Sequence, residues 1–305
     1  MEFKRFTKKN LIFSAVAILL YLVWEHFIGG LRTDHFVMVA IYLLMYYGSV
    51  TTRKFYLGFS IFIIYWIIYD SMRVIPNYEI SPVHIQQPYL IEKALFGINS
   101  GNSIITPNEY FVIHNNSFFD FLAGLFYVNW VPIPLMFAIY LFYKDKYLFV
   151  KFSLTFVIIN VIGFICYYIY PAAPPWYVEL YGFDLHLGVS GNSAGLARFD
   201  ELVHIPVFSN IFNKNANVLA AMPSLHSVNP IIVLYYGIKL KLGKINWFFV
   251  LFMVGIWFSA VYTNHHYIID VLAGIVLAVI CLFVLERLMS LPKIDKMIIR
   301  FTKLL

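Results

Sequence analysis

Charge is what this sequence has least of. Asp, Glu, Lys and Arg make up 12% of its 305 residues while hydrophobic residues make up 61%; soluble domains carry about 25% charged residues. With a mean hydropathy of +0.75, that shortage excludes an ordinary soluble domain and leaves an integral membrane protein. Cysteine is scarce too. Cys166 lies near the outer end of one apolar segment and Cys281 deep in another; at ~1.5 Å of rise per residue they differ in depth, and a disulfide needs Cα atoms within about 7 Å. No disulfide is expected, and cysteine usage says nothing about redox compartment. No small-residue cleavage site follows Trp24, Glu25 and His26, so the first apolar run reads as an uncleaved helix. No basic patch with interleaved aromatics occurs outside the short loops between apolar segments, which leaves little support for nucleic-acid binding. Repeats, low-complexity runs and flexible linkers are also missing, so one membrane domain is expected.

Apolar segments fill the remainder. A spanning helix needs about 20 mostly apolar residues, and the candidates are 11–28, 36–50, 55–70, 124–143, 147–170, 222–240, 245–262 and 267–289. Lys and Arg divide unequally between alternate connections. Seventeen lie at one side, from Lys4, Arg5, Lys8 and Lys9 through Arg53, Lys54, Lys144, Lys146, Lys151, Lys239, Lys241 and Lys244 to Arg287, Lys293, Lys296, Arg300 and Lys303. Arg32, Arg73, Lys93, Arg198 and Lys214 fall on the other. The positive-inside rule makes the first side cytoplasmic, with both termini there. All nine histidines and the two long connections, 71–116 and 171–215, then lie at the non-cytoplasmic face, where long loops are expected to carry function. Prolines in Pro171-Ala172-Ala173-Pro174-Pro175 preclude a regular helix at the start of the second.

Two motifs stand 40 residues apart by their histidines: Pro223-Ser224-Leu225-His226 and His265-His266-Tyr267-Ile268-Ile269-Asp270. The path between them reads as a span, a short basic turn and a returning span, which brings both histidines to one face. His266 and Asp270, at i and i+4, share a helix face. A carboxylate bonded to one imidazole nitrogen fixes the tautomer and leaves the other nitrogen free as nucleophile or base. An aspartate in an apolar helix costs about 2.5–3.5 kcal/mol at the bilayer centre and less at its edge, so a partner is expected; the bland reading is a polar pair satisfied at the interface. His226, behind Pro223 and Ser224, sits in a first helical turn, whose free amides favour phosphate; the alternative is a histidine that merely caps. Pro230, four residues on, is expected to bend that helix.

Arg198, in Gly191-Asn192-Ser193-Ala194-Gly195-Leu196-Ala197-Arg198-Phe199-Asp200, either binds phosphate oxygens through two hydrogen bonds or pairs with Asp200 or Glu201. His265 points to a different face from His266 and reads as structural. His84, His114, His186 and His204 show no metal-ligand spacing that would join them to Asp270, and neither a metal nor another cofactor is expected.

At these motifs the sequence resembles the type 2 phosphatidic acid phosphatase superfamily, and within it the inositol phosphorylceramide synthases. Tyr170 to Tyr177, Ala194-Gly195-Leu196-Ala197-Arg198, Met222 to Ser227 and Thr263-Asn264-His265-His266-Tyr267 support the closer likeness. The resemblance covers about residues 55–289. It implies an all-α integral membrane protein with a six-helix core, here with two extra N-terminal transmembrane helices: 1–54 holds those helices, 55–289 the catalytic domain and 290–305 a short cytoplasmic tail. It also implies His226, His266 and Asp270 as catalytic residues acting through a phosphohistidine. Arg198, Ser224, Asn264, Tyr267 and Asn192 are expected at the substrate. The phosphatase pattern has a lysine and an arginine near the end of its third core helix and an arginine six residues before its last histidine; here the 160s hold no basic residue and position 260 is Ala260. A phosphomonoester carries nearly two negative charges and a diester one, so fewer cations favour diester transfer.

The implied reaction moves inositol phosphate from phosphatidylinositol to ceramide. Alternatives are a lipid phosphatase that uses water as acceptor, and a lipid-binding or transport protein; against the latter, no chain of ionisable residues crosses the bilayer. The substrates are bilayer lipids, protein partners are left open, and short loops and tails point to a bacterial inner membrane.

Overall fold

The computed structural model describes residues 6–72, 74–213 and 217–305; Lys4, Arg5, Arg73 and Lys214, used above for orientation, lie outside the described residues. Its helices are α1 Lys8–Ile28, α2 Thr33–Gly48, α3 Val50–Ser71, α4 Gln86–Phe96, α5 Pro107–Ile113, α6 Ser117–Val128, α7 Pro132–Lys144, α8 Lys146–Ile169, α9 Pro175–Tyr181, α10 Ala197–Val203, α11 Val207–Phe212, α12 Leu225–Lys239, α13 Ile245–Tyr262, α14 Ile268–Met289 and α15 Pro292–Thr302. Two three-residue strands, β1 Ile98–Ser100 and β2 Ser103–Ile105, form an antiparallel hairpin between α4 and α5.

Helices α1, α8, α13 and α14 are long and apolar enough to cross a membrane, and α6 with α7, bent by 42°, makes a fifth if counted as one span. The chain is a multi-pass membrane protein. Four of the expected spans differ from the sequence reading, one of them because α3, though 22 residues long, is not among the helices apolar enough to cross. Segment 124–143 is broken, because Pro132 has no N–H to continue α6 and instead starts α7. Helices α2 and α12 have 16 and 15 residues, roughly 24 and 22 Å at 1.5 Å per residue, short of the ~30 Å hydrocarbon core. Helix α12 starts late because the chain before it is extended: Ala172 donates to Leu219 O at 3.1 Å and accepts from Ala221 N at 3.2 Å, and Ser224 is the N-cap.

Helix α8 is the central rod, with 67% of its apolar window buried against 11% for α1. Helices α3, α7, α12, α14 and α15 pack on it, while α13 packs on α6 and α12. Phe149, Phe152, Ile159, Val228, Ile232, Val233 and Ile256 interdigitate there. Lipid is as apolar as these side chains, so close fit supplies the cohesion. Missing side chains let rings in: a Cβ on Gly124 would lie 2.1 Å from the Phe199 ring, and one on Gly255 2.5 Å from that of Phe126.

The two ends are built differently. At one, Glu286 of α14 accepts from Lys151 of α8 at 3.0 Å, Lys239 of α12 at 2.5 Å and Tyr235 at 3.1 Å. There residues 290–305, expected as a tail, form α15, held on α8 by Tyr147 Oη to Asp295 at 2.6 Å and Lys146 Nζ to the Leu305 carbonyl at 2.7 Å. At the other end both long connections fold back onto the bundle. Asn77, fully buried, donates to the carbonyls of Tyr167 and Leu219. The proline run begins a helix after all, since Pro175 occupies the first turn of α9, where its fixed φ fits.

Helices α12 and α14 touch backbone to backbone. A Cβ on Gly274 would lie 2.4 Å from the Ser224 carbonyl oxygen. Gly274→Ala is therefore expected to force the helices apart at a cost of about 1–3 kcal/mol, lowering the thermal midpoint in detergent by roughly 3–10 °C; an unchanged midpoint would remove this contact as a constraint.

Candidate active site

Local sequence builds each half of the site. Pro223 and Ser224 end an extended stretch and start α12, which puts His226 in the first turn. Thr263 ends α13, Asn264 turns the chain through a left-handed conformation (φ 63°), and α14 starts at Ile268. Asn tolerates that conformation better than most side chains. In this turn the amides of His265 and His266 both donate to the Ala260 carbonyl, at 3.1 and 2.9 Å. Ser224 N–H donates to the Asp270 carbonyl at 3.0 Å and docks one half on the other.

The result joins the two motifs. His226 Nδ1 lies 3.1 Å from His266 Nε2. His266 Nδ1 faces Asp270 Oδ2 at 3.6 Å, just outside hydrogen-bond range. That oxygen accepts the Tyr267 N–H at 2.9 Å, and His266 Nδ1 and Asp270 Oδ1 are buried without hydrogen-bond partners. Contacts of this kind often tighten only when substrate binds. Aspartate and both histidines thus form one line, buried except for partial exposure of His226. Tyr127 and Trp130 pack on the His226 ring at centroid distances of 4.6 and 4.5 Å.

His265 turns away. Phe212 stacks on it at 4.5 Å, its Nε2 lies 3.0 Å from the Ser193 carbonyl, and burial pushes its pKa down to about 3. It stays neutral at pH 7 and donates that bond. Arg198 does not pair with Asp200 or Glu201 as its bland reading had it. Asp200 instead caps α11 through Phe208 N, Ser209 N and Ser209 Oγ, and Arg198 Nε donates to Asp120 Oδ1 at 2.6 Å, a carboxylate also bonded by Tyr262 Oη at 2.9 Å. Arg198 Nη2 is buried without a partner. Gly195 makes that placement possible, because a Cβ there would sit 2.8 Å from Thr263 Cα and 3.0 Å from Arg198 Nη2.

The other expected substrate contacts divide. Ser224 Oγ and Tyr267 Oη are buried and unpartnered. Asn264 Nδ2 is bonded to Glu179. Asn192 spends its side-chain oxygen on Ala194 N–H at 2.6 Å, inside its own turn.

Two residues that sequence reasoning passed over hold the frame. Glu92 of α4, fully buried, accepts the Ile268 and Ile269 amides at 3.0 and 3.1 Å, a carboxylate set on the positive end of α14. Asn108 of α5 donates to the carbonyls of Val261 and His266 at 3.0 and 2.9 Å. Thr106-Pro107-Asn108-Glu109 forms a capping box with proline at the first position, a signal present in the sequence. Nothing local marks Glu92.

The four loop histidines are dispersed: His84 stacks on Tyr170, His114 on Tyr110, His186 packs on Tyr181, and His204 ends α10. Among the described residues one other group of ligand types converges, Glu25, His35 and Asp70, with candidate ligand atoms within 4.8 Å of one another. His35 Nδ1 accepts the Arg32 N–H at 3.3 Å, so the proton sits on Nε2, 3.5 Å from Glu25 and 3.9 Å from Asp70. Arg32 Nη2 bonds Asp70 at 2.9 Å. A proton and a guanidinium occupy the place a cation would take, and the group ties α1, α2 and α3 together.

Comparison with known proteins gives the same picture of kinship. The PAP2 superfamily matches residues 105–284. The chain is 43% identical over 274 residues to a phosphoinositol dihydroceramide synthase of Bacteroides thetaiotaomicron, covering 88% of this chain and 89% of that protein. Against the inositol phosphorylceramide synthase catalytic subunit AUR1 of Saccharomyces cerevisiae it is 29% identical, covering 76% of this chain and 57% of the relative. Against the Schizosaccharomyces pombe subunit the figures are 26%, 95% and 65%, so the chain spans less than two thirds of either fungal protein. No solved structure matches it.

Burial pushes the Glu92 carboxyl up from its ordinary 4.5 to about 7, against the pull of the two amides. The folded chain then binds this proton more tightly than the unfolded chain, so stability falls as pH rises from about 4.5 to 7 and levels off above. Thermal midpoints in detergent are expected to drop across that window and to lose most of the slope in Glu92→Gln; equal slopes in both proteins would assign the proton elsewhere.

Proposed function

Because the chain belongs to the PAP2 superfamily, we propose that it is a lipid phosphotransferase that moves inositol phosphate from phosphatidylinositol to the primary hydroxyl of a ceramide. The observation that carries this reading is the 43% identity to a named phosphoinositol dihydroceramide synthase along nearly the whole of both chains. The histidine pair supplies a mechanism. With the His266 proton on Nδ1 facing Asp270, Nε2 holds the lone pair, and the contact at 3.1 Å makes His226 Nδ1 its donor. A phosphodiester entering the site displaces that contact and brings the negative charge an imidazolium on His226 requires.

His266 Nε2 attacks phosphorus and the bond to the diacylglycerol oxygen breaks, that oxygen taking a proton from His226. Neutral His226 then removes the proton of the ceramide hydroxyl. The hydroxyl oxygen attacks phosphorus, the phosphorus–nitrogen bond breaks, and His266 is restored with His226 again protonated. His266 keeps its Nδ1 proton, facing the Asp270 carboxylate, throughout. Arg198 Nη2 and the start of α12 face the phosphoryl oxygens, and the shortage of further cations suits a singly charged diester. On this reading residues 55–289 are the catalytic unit and 1–54 an addition. The charge bias supports cytoplasmic termini with the histidines at the opposite face, and the identity to a Bacteroides protein supports a bacterial inner membrane. Hydrolysis of a lipid phosphomonoester is the second reading, since the same triad works with water.

Purified protein incubated with inositol-labelled phosphatidylinositol and a short-chain fluorescent ceramide is expected to form a doubly labelled product. His266→Ala and His226→Ala should each lower its rate at least 10³-fold, the order seen when a covalent nucleophile or its proton partner is lost. Turnover retained in His266→Ala would refute the assignment, and phosphate release from a lipid phosphomonoester without transfer would move the chain to the phosphatases.

A further inference from the structure

Beside the histidine turn lies a cavity of about 480 Å³, lined by Tyr89, Asn108, Glu109, Glu179, Phe183, Asn264 and Tyr267 among others. That size is ordinary for a small-ligand pocket. It is framed by α4, α5 and α9, elements of the two long connections, and shares Asn264 and Tyr267 with the loop that carries His266. Its polar chemistry is one-sided. Glu109 and Glu179 are its charged lining residues, and no Lys or Arg lines it; Lys93 reaches the rim only through Tyr89 Oη at 3.3 Å.

A phosphate would meet repulsion in such a cavity. A neutral ligand rich in hydroxyl groups would not: carboxylate oxygens accept from hydroxyls, and an amide or phenol can do either. Two of the lining groups lack a partner in the protein. Tyr267 is 1% exposed and its Oη is unpartnered, and Asn108, also 1% exposed, has an unpartnered Oδ1. Leaving such atoms buried and unbonded costs about 1–3 kcal/mol each. The left-handed Asn264 is held by three bonds, its N–H donating to the Val261 carbonyl at 3.1 Å, its carbonyl accepting Trp176 N–H at 3.1 Å and its side-chain Nδ2 bonded to Glu179. Strain of this kind at a pocket wall is typical of a ligand clamp. The rings of Tyr89 and Phe183, 5.3 Å apart, offer an apolar surface to the C–H faces of a cyclic polyol.

We propose that this cavity is the subsite for the polyhydroxylated ring of the donor headgroup, with Glu179, Asn264, Tyr267 and Asn108 reading its hydroxyls while the phosphate sits at the histidines. The assignment rests on the transferase reading above and adds the residues that select the headgroup. A site built to bond hydroxyls rejects ligands that lack them, because its own polar atoms are then stranded.

Glu179 lies on the exposed rim, so Glu179→Gln is expected to fold normally while losing the charge. The first measurement is steady-state transfer from phosphatidylinositol in mixed micelles. Glu179→Gln and Tyr267→Phe should each raise KM for phosphatidylinositol about tenfold, with kcat and the KM for ceramide little changed. Leu180→Ala, altering a neighbouring exposed side chain outside the cavity, should change neither. The second is binding of water-soluble glycerophosphoinositol and glycerophosphoethanolamine to His266→Ala protein, where the inositol compound should bind more tightly and lose that advantage in the double variant with Glu179→Gln. Equal affinity for the two compounds, or a rise in KM for ceramide in place of the donor, would overturn the assignment. If wild-type protein transfers nothing to ceramide, the function reading fails while the binding comparison still tests the cavity.

Discussion

One close contact governs this molecule, the approach of the first turns of α14 to the start of α12. It is made by Ser224 N–H on the Asp270 carbonyl and permitted by Gly274, whose missing side chain leaves room for the Ser224 carbonyl. Each histidine is set by its own helix start, but the 3.1 Å between them is a property of that contact. A bilayer offers helices no hydrophobic reason to associate. Shape fit and backbone hydrogen bonding must therefore hold the pair, and both are concentrated there.

The long connections act as the outer half of the same device. Glu92 on the α14 amides, Asn108 on the carbonyls of the histidine loop and Asn77 on those of Tyr167 and Leu219 are side chains sent from distant sequence to satisfy backbone groups at helix ends. Unsatisfied backbone at those depths is expensive. The price of ordering the loops is offset by bonds that fix the histidine turn, and the same loops then wall the adjacent cavity.

Charge is used sparingly and in pairs. Glu286 gathers two lysines at the far end, Arg32 and His35 face Asp70 and Glu25 among the first three helices, and Arg198 leans on Asp120. Asp120 leaves Arg198 Nη2 uncommitted, which orients a guanidinium without neutralising every donor. On the proposed reading, one such cation suits a substrate with one negative charge better than one with two.

Composition alone determined that this is a membrane protein, because a chain so poor in charge cannot solvate its own surface, and two motifs on returning apolar segments determined that His226, His266 and Asp270 would meet. The i, i+4 spacing and the hairpin path are local facts that survive any detail of packing. Several features were decided by tertiary structure. Pro132 broke an apolar run that hydropathy reads as continuous, and pairing of Ala172 with the chain around Ala220 shortened α12. Arg198 found Asp120, far away in sequence, because Asp200 was already capping α11. Glu92 carries no local signal, since its partners are backbone amides that any sequence would present. Periodicity and spacing report on neighbours along the chain; which distant carboxylate or carbonyl satisfies a buried group depends on how the helices pack.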